Sequence, residues 1–212
     1  MAGKLNLTKI YFLVLLSIVC AQSTIEPEKL INELGCGNCH LGAAKSTLIS
    51  VRAPDLSNAG SKYNPSYIYD YLKEPHSVRK NIGLSRMPNF NLSDEEAFAL
   101  SFYLKTKKNQ TRSSHYNKGD KNADAAKLIS EDYQCTSCHL LNGNGLDRSI
   151  NLNSTGTRLK KEWIYETIFY PQKHIAQSTS MPMFFDENDE DSKAVVGSMT
   201  QYIYGRGKDE LK

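Results

Sequence analysis

A Cys-x-x-Cys-His run occurs twice in this chain, as CGNCH at residues 36–40 and as CTSCH at residues 135–139. Such a run constrains the fold, because positions i, i+3 and i+4 of a helical turn lie on one face. Both thiols and the imidazole of each run are therefore expected on the same side of the chain. Two thiols beside one imidazole can serve a covalent cofactor, a zinc site, a redox dithiol or a disulfide.

A haem group fits this arrangement best. Two thiols at this spacing add to the two vinyl groups of a haem while the following histidine reaches the iron, and the run is the attachment signature of haem c. A redox dithiol is expected near a βαβ pattern, which the sequence lacks, and zinc would require neither the histidines nor the parallel spacing of the runs. The sequence therefore predicts two covalent haem c groups. The predicted thioether residues are Cys36, Cys39, Cys135 and Cys138, and the predicted histidine ligands of the two irons are His40 and His139.

The similarity between the two halves extends beyond these runs. Residues 54–62 align with residues 150–158, and a Met-Pro-x-Phe string stands at residues 87–90 and again at residues 181–184. Repetition along a chain is typical of repeated structural units. The sequence therefore predicts two copies of one structural plan.

A polar stretch separates the two copies. Residues 111–124 are rich in Ser, Asn, Asp and Gly and poor in apolar residues, which is typical of a linker. We therefore predict a first domain at residues 22–110 and a second domain at residues 125–212.

Helical patterns dominate both halves, and no strand pattern is convincing. Asn64 and Pro65 have the character of an N-cap and the first residue of a helix, and Ser93 begins a capping box. The expected fold class is all-α. Helices are predicted over residues 27–35, 64–73, 93–104, 123–132, 161–169 and 192–204.

Each half resembles a class I cytochrome c domain, and the whole chain resembles the tandem dihaem members of that family. The resemblance covers roughly residues 26–106 and 123–205. It implies two small helical bundles, each around a covalent haem. In the family the sixth iron ligand is a methionine from a loop after the third helix, and the matching residues are Met87 and Met181. The second half departs from the family's Pro-Asp-Leu turn, because Ile150 replaces the proline.

The axial ligands have rivals within the sequence. Met183 follows two residues after Met181, and core packing is the usual role of methionine. Ligation by two histidines is the other alternative and would involve His76, His115 or His174. A histidine at such a position is more often a solvated surface residue.

Residues 1–21 have the layout of a secretory signal peptide. Lys4 and Lys9 precede a short apolar run that ends in small residues, so cleavage is expected between Ala21 and Gln22. A retained membrane anchor is the alternative, although the run is shorter than the roughly 20 apolar residues that span a bilayer. Lipidation of Cys20 is disfavoured by the bulky residue before it. The expected localisation is the periplasm, with membrane association if the segment is retained.

The charge balance argues against nucleic-acid binding. The chain has 26 basic and 23 acidic residues and a formal net charge of +3, far from the basic balance of nucleic-acid-binding proteins. An acidic cluster at residues 186–191 follows the second Met-Pro-x-Phe string. It is either a solvated loop or a docking edge for a basic partner, since complementary charge speeds encounter.

The resemblance implies an exported electron carrier with two low-spin His/Met haems and no catalytic residues. Such carriers shuttle single electrons between redox protein partners of a respiratory chain, from a quinol-oxidising cytochrome complex to a terminal oxidase or reductase. The alternative is an enzyme or an enzyme's haem subunit, such as a peroxidase or a sulfur-compound dehydrogenase. A peroxidase requires an open iron position, which two methionine ligands argue against.

Overall fold

The structure, a computed structural model, describes residues 24–42, 53–78, 87–108, 116–120, 123–174 and 180–209. The predicted signal peptide, His115 and part of the predicted linker lie outside these residues. The described residues form helices and turns, with isolated bridges and no strand. The all-α prediction is confirmed for this part of the chain.

The first half contains α1 (Pro27–Glu33), a short 3₁₀ turn (Cys36–Asn38), α2 (Ala59–Lys62), α3 (Pro65–Lys73) and α4 (Asp94–Thr106). Proline stands at the start of α1 and of α3, where its missing N–H costs nothing. The predicted capping box of α4 is present: Glu96 N–H donates to Ser93 Oγ (3.2 Å), and Ser93 N–H donates to Glu96 Oε2 (2.8 Å).

The second half has a similar order of elements. It contains α5 (Ala125–Lys127), which continues into a π turn (Leu128–Asp132), a 3₁₀ turn (Cys135–Ser137), α6 (Thr155–Arg158), α7 (Lys161–Phe169), α8 (Pro171–His174) and α9 (Glu190–Asp209). Among the described residues, no helix is both long and apolar enough to cross a membrane.

The helix α9 begins earlier than the predicted start at Ser192. Asp189 Oδ2 accepts the Ser192 N–H (2.8 Å), so Asp189 takes the N-cap position and the helix begins at Glu190. Glu190 also pairs with Lys193 (2.7 Å). Part of the acidic cluster thus caps and stabilises the last helix, where negative charge is favourable.

Each half has its own hydrophobic core. Ile31, Ile68 and Leu100 lie at the centre of the first core, where α1, α3 and α4 meet. Trp163 and Met199 lie in the second core, where α7 packs against α9. Both cores are small, as is usual for domains that depend on a further stabilising group.

A reciprocal backbone pair joins the two halves. Asn64 N–H donates to Arg158 O (3.0 Å), and Lys160 N–H donates to Lys62 O (3.0 Å). These two bonds flank an isolated antiparallel bridge between Tyr63 and Leu159. The same positions of the two halves thus bind each other around a local two-fold axis.

Side chains repeat this exchange. Asn64 Nδ2 donates to Gly156 O (3.1 Å) and Thr157 O (2.8 Å), while Lys160 Nζ donates to Gly60 O. The predicted N-cap position of Asn64 and first-turn position of Pro65 are confirmed, but the Asn64 side chain makes no capping bond and its amide donates to carbonyls of the other half instead. We call the contact of residues 60–64 with residues 156–160 the seam.

A glycine lets each short helix approach the end of the last helix of its own half. A Cβ at Gly60 would lie 2.0 Å from Lys105 O, and a Cβ at Gly156 would lie 2.1 Å from Tyr204 O. Gly60 N–H also donates to Lys107 O (2.8 Å). Only glycine allows backbones to come this close.

The Gly60→Ala and Gly156→Ala substitutions should each lower the free energy of unfolding by about 1–3 kcal/mol, because the added methyl group meets backbone that cannot move aside cheaply. Denaturant unfolding measures the change. Gly205→Ala is the matched control, since a Cβ there meets nothing within 4 Å. In a helix this control should leave stability unchanged or raise it by up to about 1 kcal/mol. Equal effects at all three positions would contradict the close approach.

Candidate haem sites

The first Cys-x-x-Cys-His run follows α1 after a sharp reversal of the chain. Gly35 has φ 67° and ψ 26°, in the left-handed region, and a 3₁₀ turn begins directly after it. His40 N–H donates to Cys36 O (2.9 Å) and closes the turn. The backbone of the run is therefore one tight turn, which the cysteines and the histidine share.

The second run folds in the same way. His139 N–H donates to Cys135 O (3.0 Å), and a 3₁₀ turn again follows a left-handed residue. That residue is Gln134, with φ 49°, where the first half has glycine. A left-handed backbone is uncommon for a residue other than glycine.

Backbone carbonyls orient both histidine rings. His40 Nδ1 lies 2.8 Å from Pro54 O, and His139 Nδ1 lies 2.8 Å from Ile150 O. A carbonyl only accepts, so Nδ1 carries the proton in each ring and Nε2 keeps its lone pair. An imidazole held in this tautomer is ready to ligate a metal ion through Nε2.

The loop that supplies this carbonyl has the same turn in both halves. Ser57 N–H donates to Asp55 Oδ1 (2.8 Å), and Asn153 N–H donates to Asn151 Oδ1 (2.9 Å). The absence of proline at Ile150 therefore does not change the hydrogen bond, because the acceptor belongs to the backbone.

The thiols are free and differ in exposure. Cys39 and Cys138 are exposed, whereas Cys36 and Cys135 are half-buried, and none of the four is in a disulfide. Burial raises the pKa of the Cys36 and Cys135 thiols. Among the described residues no three His, Cys, Asp or Glu side chains gather as a metal cluster.

The chemistry of each turn fits a covalent haem. Each offers two free thiols, one of them partly sheltered, and an imidazole whose Nε2 has its lone pair available. Burial lowers the pKa of His139, which favours the neutral ring that a metal ion requires.

The methionines differ in exposure. Met87 is partly buried against the first core. Met181 is half-buried, while Met183 is 56% exposed. The difference favours Met181 over Met183 as an internal ligand.

Phe185 is a residue that the sequence pattern missed. Phe90 packs against the first core, but its counterpart in the second Met-Pro-x-Phe string, Phe184, is 54% exposed. The following residue, Phe185, contacts Tyr133 (ring centroids 4.7 Å apart) and packs against the second core. The string has two consecutive phenylalanines, so the pattern alone does not tell which one is buried.

Two of the rival histidines are described. His76 is exposed and lies against the Tyr71 ring (5.1 Å). The side chain of His174 is only 2% exposed and lies against Trp163 (4.7 Å) and 3.6 Å from Glu166 Oε2. The expectation of a solvated His174 is therefore wrong, because α8 folds it back onto α7.

The family model for cytochrome c matches residues 27–108, which include α1 to α4, the first Cys-x-x-Cys-His run and Met87. Residues 27–108 are a cytochrome c domain. Cytochrome c domains hold covalently bound haem c, so this domain supports a haem-based role in electron transfer. Comparisons with curated proteins and with solved structures gave no match.

Proposed function

We propose that this chain is an exported dihaem cytochrome c that passes single electrons between respiratory partners. One observation carries the proposal: the turn around His139 repeats the geometry of the turn around His40 in the cytochrome c domain. In each, Nδ1 lies 2.8 Å from a backbone carbonyl, and the histidine N–H bonds to the first cysteine's carbonyl. A second haem site follows from this equivalence.

The residues of each half hold and orient the cofactor. Cys36 and Cys39 form the thioether bonds of the first haem, and Cys135 and Cys138 those of the second. When bound, each haem supplies an iron that takes up and releases one electron. Covalent attachment also adds a large apolar group to a small core, which stabilises domains of this size.

Methionines would hold each iron together with the histidines. Met87 and Met181 are the proposed sixth ligands, and their partial burial supports this choice over the exposed Met183. With a histidine and a methionine as ligands, the iron would have no open position and a higher reduction potential. An iron without an open position transfers electrons and does not bind a substrate, so the proposed role is that of a carrier and not of an enzyme.

The proposed location is the periplasm, with the signal peptide removed before Gln22. The proposed partners are a quinol-oxidising cytochrome complex as donor and a terminal oxidase or reductase as acceptor. The support is the layout of residues 1–21 together with the proposed carrier chemistry.

Haem quantification tests the number of cofactors. The mature protein should contain two haems per chain that remain attached after denaturation and acid-acetone extraction. The Cys135→Ala/Cys138→Ala variant should retain one, and so should the matched Cys36→Ala/Cys39→Ala variant. One haem in the wild-type protein, unchanged by loss of Cys135 and Cys138, would restrict the proposal to the first domain.

Replacement of each methionine tests the sixth ligands. Met87→Ala and Met181→Ala should each convert one of the two haems from low-spin to high-spin and lower its reduction potential, because one axial position opens. The thioether bonds should survive, so the protein stays red. Spectra and redox titration measure both changes.

Met183→Ala is the control and should convert neither haem. If Met183→Ala abolished the methionine–iron charge-transfer band while Met181→Ala kept it, the second ligand assignment would be wrong. A wild-type protein that is already partly high-spin at neutral pH would argue for an enzyme.

N-terminal sequencing tests export. The native protein should begin at Gln22 and stay in solution after cell disruption. A chain that reads through Ala21 and remains with the membrane after a salt wash would indicate a retained anchor instead.

A further inference from the structure

One face of α4 carries an exposed apolar stripe with a charge at each end. Phe98 is 64% exposed and Phe102 is 58% exposed, and their rings stack with centroids 6.4 Å apart. Glu95 and Lys105, both exposed, precede and follow them. The spacing of three, four and three residues places all four side chains on one side of the helix. Exposed aromatic pairs of this kind mark interaction surfaces.

The second half covers the corresponding face with its own chain. Lys105 O and Tyr204 O take equivalent places against Gly60 and Gly156, so Gly197 and Gln201 of α9 stand where α4 has Phe98 and Phe102. The described part of the predicted linker, residues 116–120, lies against this face, since a Cβ at Gly197 would lie 2.4 Å from Asn117 O. Asp120 N–H donates to Ser198 Oγ (3.0 Å), and a Cβ at Gly119 would lie 2.2 Å from Ser198 N. Small residues on α9 admit this segment, whereas two phenylalanines on α4 offer a larger apolar surface.

We propose that the α4 stripe binds the α4 stripe of a second copy of this chain, with the two helices antiparallel. The order Glu, Phe, Phe, Lys is self-complementary when it is reversed. A two-fold axis between the phenylalanines sets Phe98 against the partner's Phe102 and Glu95 against the partner's Lys105. Both contacts occur twice, as a symmetric interface requires. Parallel helices would instead bring like charges together.

A groove beside the stripe enlarges the contact. It lies between α3 and α4 and has a volume of about 280 Å³, and its walls include Pro65, Tyr69, Phe98 and Ser101. The exposed parts of two phenylalanines amount to roughly 200–300 Å² per copy, less than the ~800 Å² per partner of a stable interface. The dimer is therefore weak and depends on concentration.

Charge exchange tests this pairing in the full-length haem-loaded protein. Sedimentation equilibrium at low salt should show a concentration-dependent dimer. Glu95→Lys and Lys105→Glu should each raise the dimer dissociation constant about tenfold, because symmetry turns two attractive pairs into two repulsive ones. The double variant Glu95→Lys/Lys105→Glu should restore wild-type association, since each pair again has opposite charges. Folding is checked by the haem spectrum.

Matched changes on the second half serve as controls. Glu131→Lys and Lys127→Glu alter the net charge by the same amounts at exposed positions and should leave the dissociation constant unchanged. Phe98→Ser should abolish the dimer, whereas Phe184→Ser, at a similarly exposed ring, should not. A wild-type protein that stays monomeric at ~1 mM, the weak end of specific association, would overturn the proposal. A double variant whose dimer dissociation constant is no lower than those of the single variants would also overturn it. So would a Phe98→Ser variant that still forms the dimer.

Discussion

The hydrogen bond from a histidine ring to a backbone carbonyl is the interaction on which both candidate sites depend. It fixes the ring's position and its tautomer at once, and it leaves Nε2 of His40 and of His139 with a lone pair. The preceding 3₁₀ turn begins at the first cysteine of the run. The loop that contains this carbonyl leads directly into α2 or α6, so the short helices and the seam follow the point where the histidine is held.

The sequence predicted those parts of the fold that have local causes. Helices α3 and α7 have the predicted ends. A proline begins α3, a charged residue before an apolar stripe begins α7, and a proline follows each helix. The capping box before α4 was equally local. Helices α2 and α6 were missed, since four residues are too few to show a period.

The features that were missed or wrong depend on tertiary contacts. Asn64 is the N-cap residue of α3 as predicted, but the hydrogen bonds that its amide donates to carbonyls of the other half were missed. The burial of His174 depends on Trp163, which stands a full helix earlier. The two turns around the Cys-x-x-Cys-His runs were predictable because each is contained in five consecutive residues. The proposed methionine ligands lie far along the chain from these turns, and for that reason the sequence left Met181 and Met183 as rivals.

The seam has a consequence for how the molecule comes apart. Gly60 O and Gly156 O accept its side-chain hydrogen bonds, and these same glycines let each short helix lie against the last helix of its own half. Loosening either last helix therefore removes a contact that supports the seam. The two cores are thus linked mechanically through a few peptide groups. Although each half has a core of its own, we expect the two halves to unfold together in one cooperative transition and not independently.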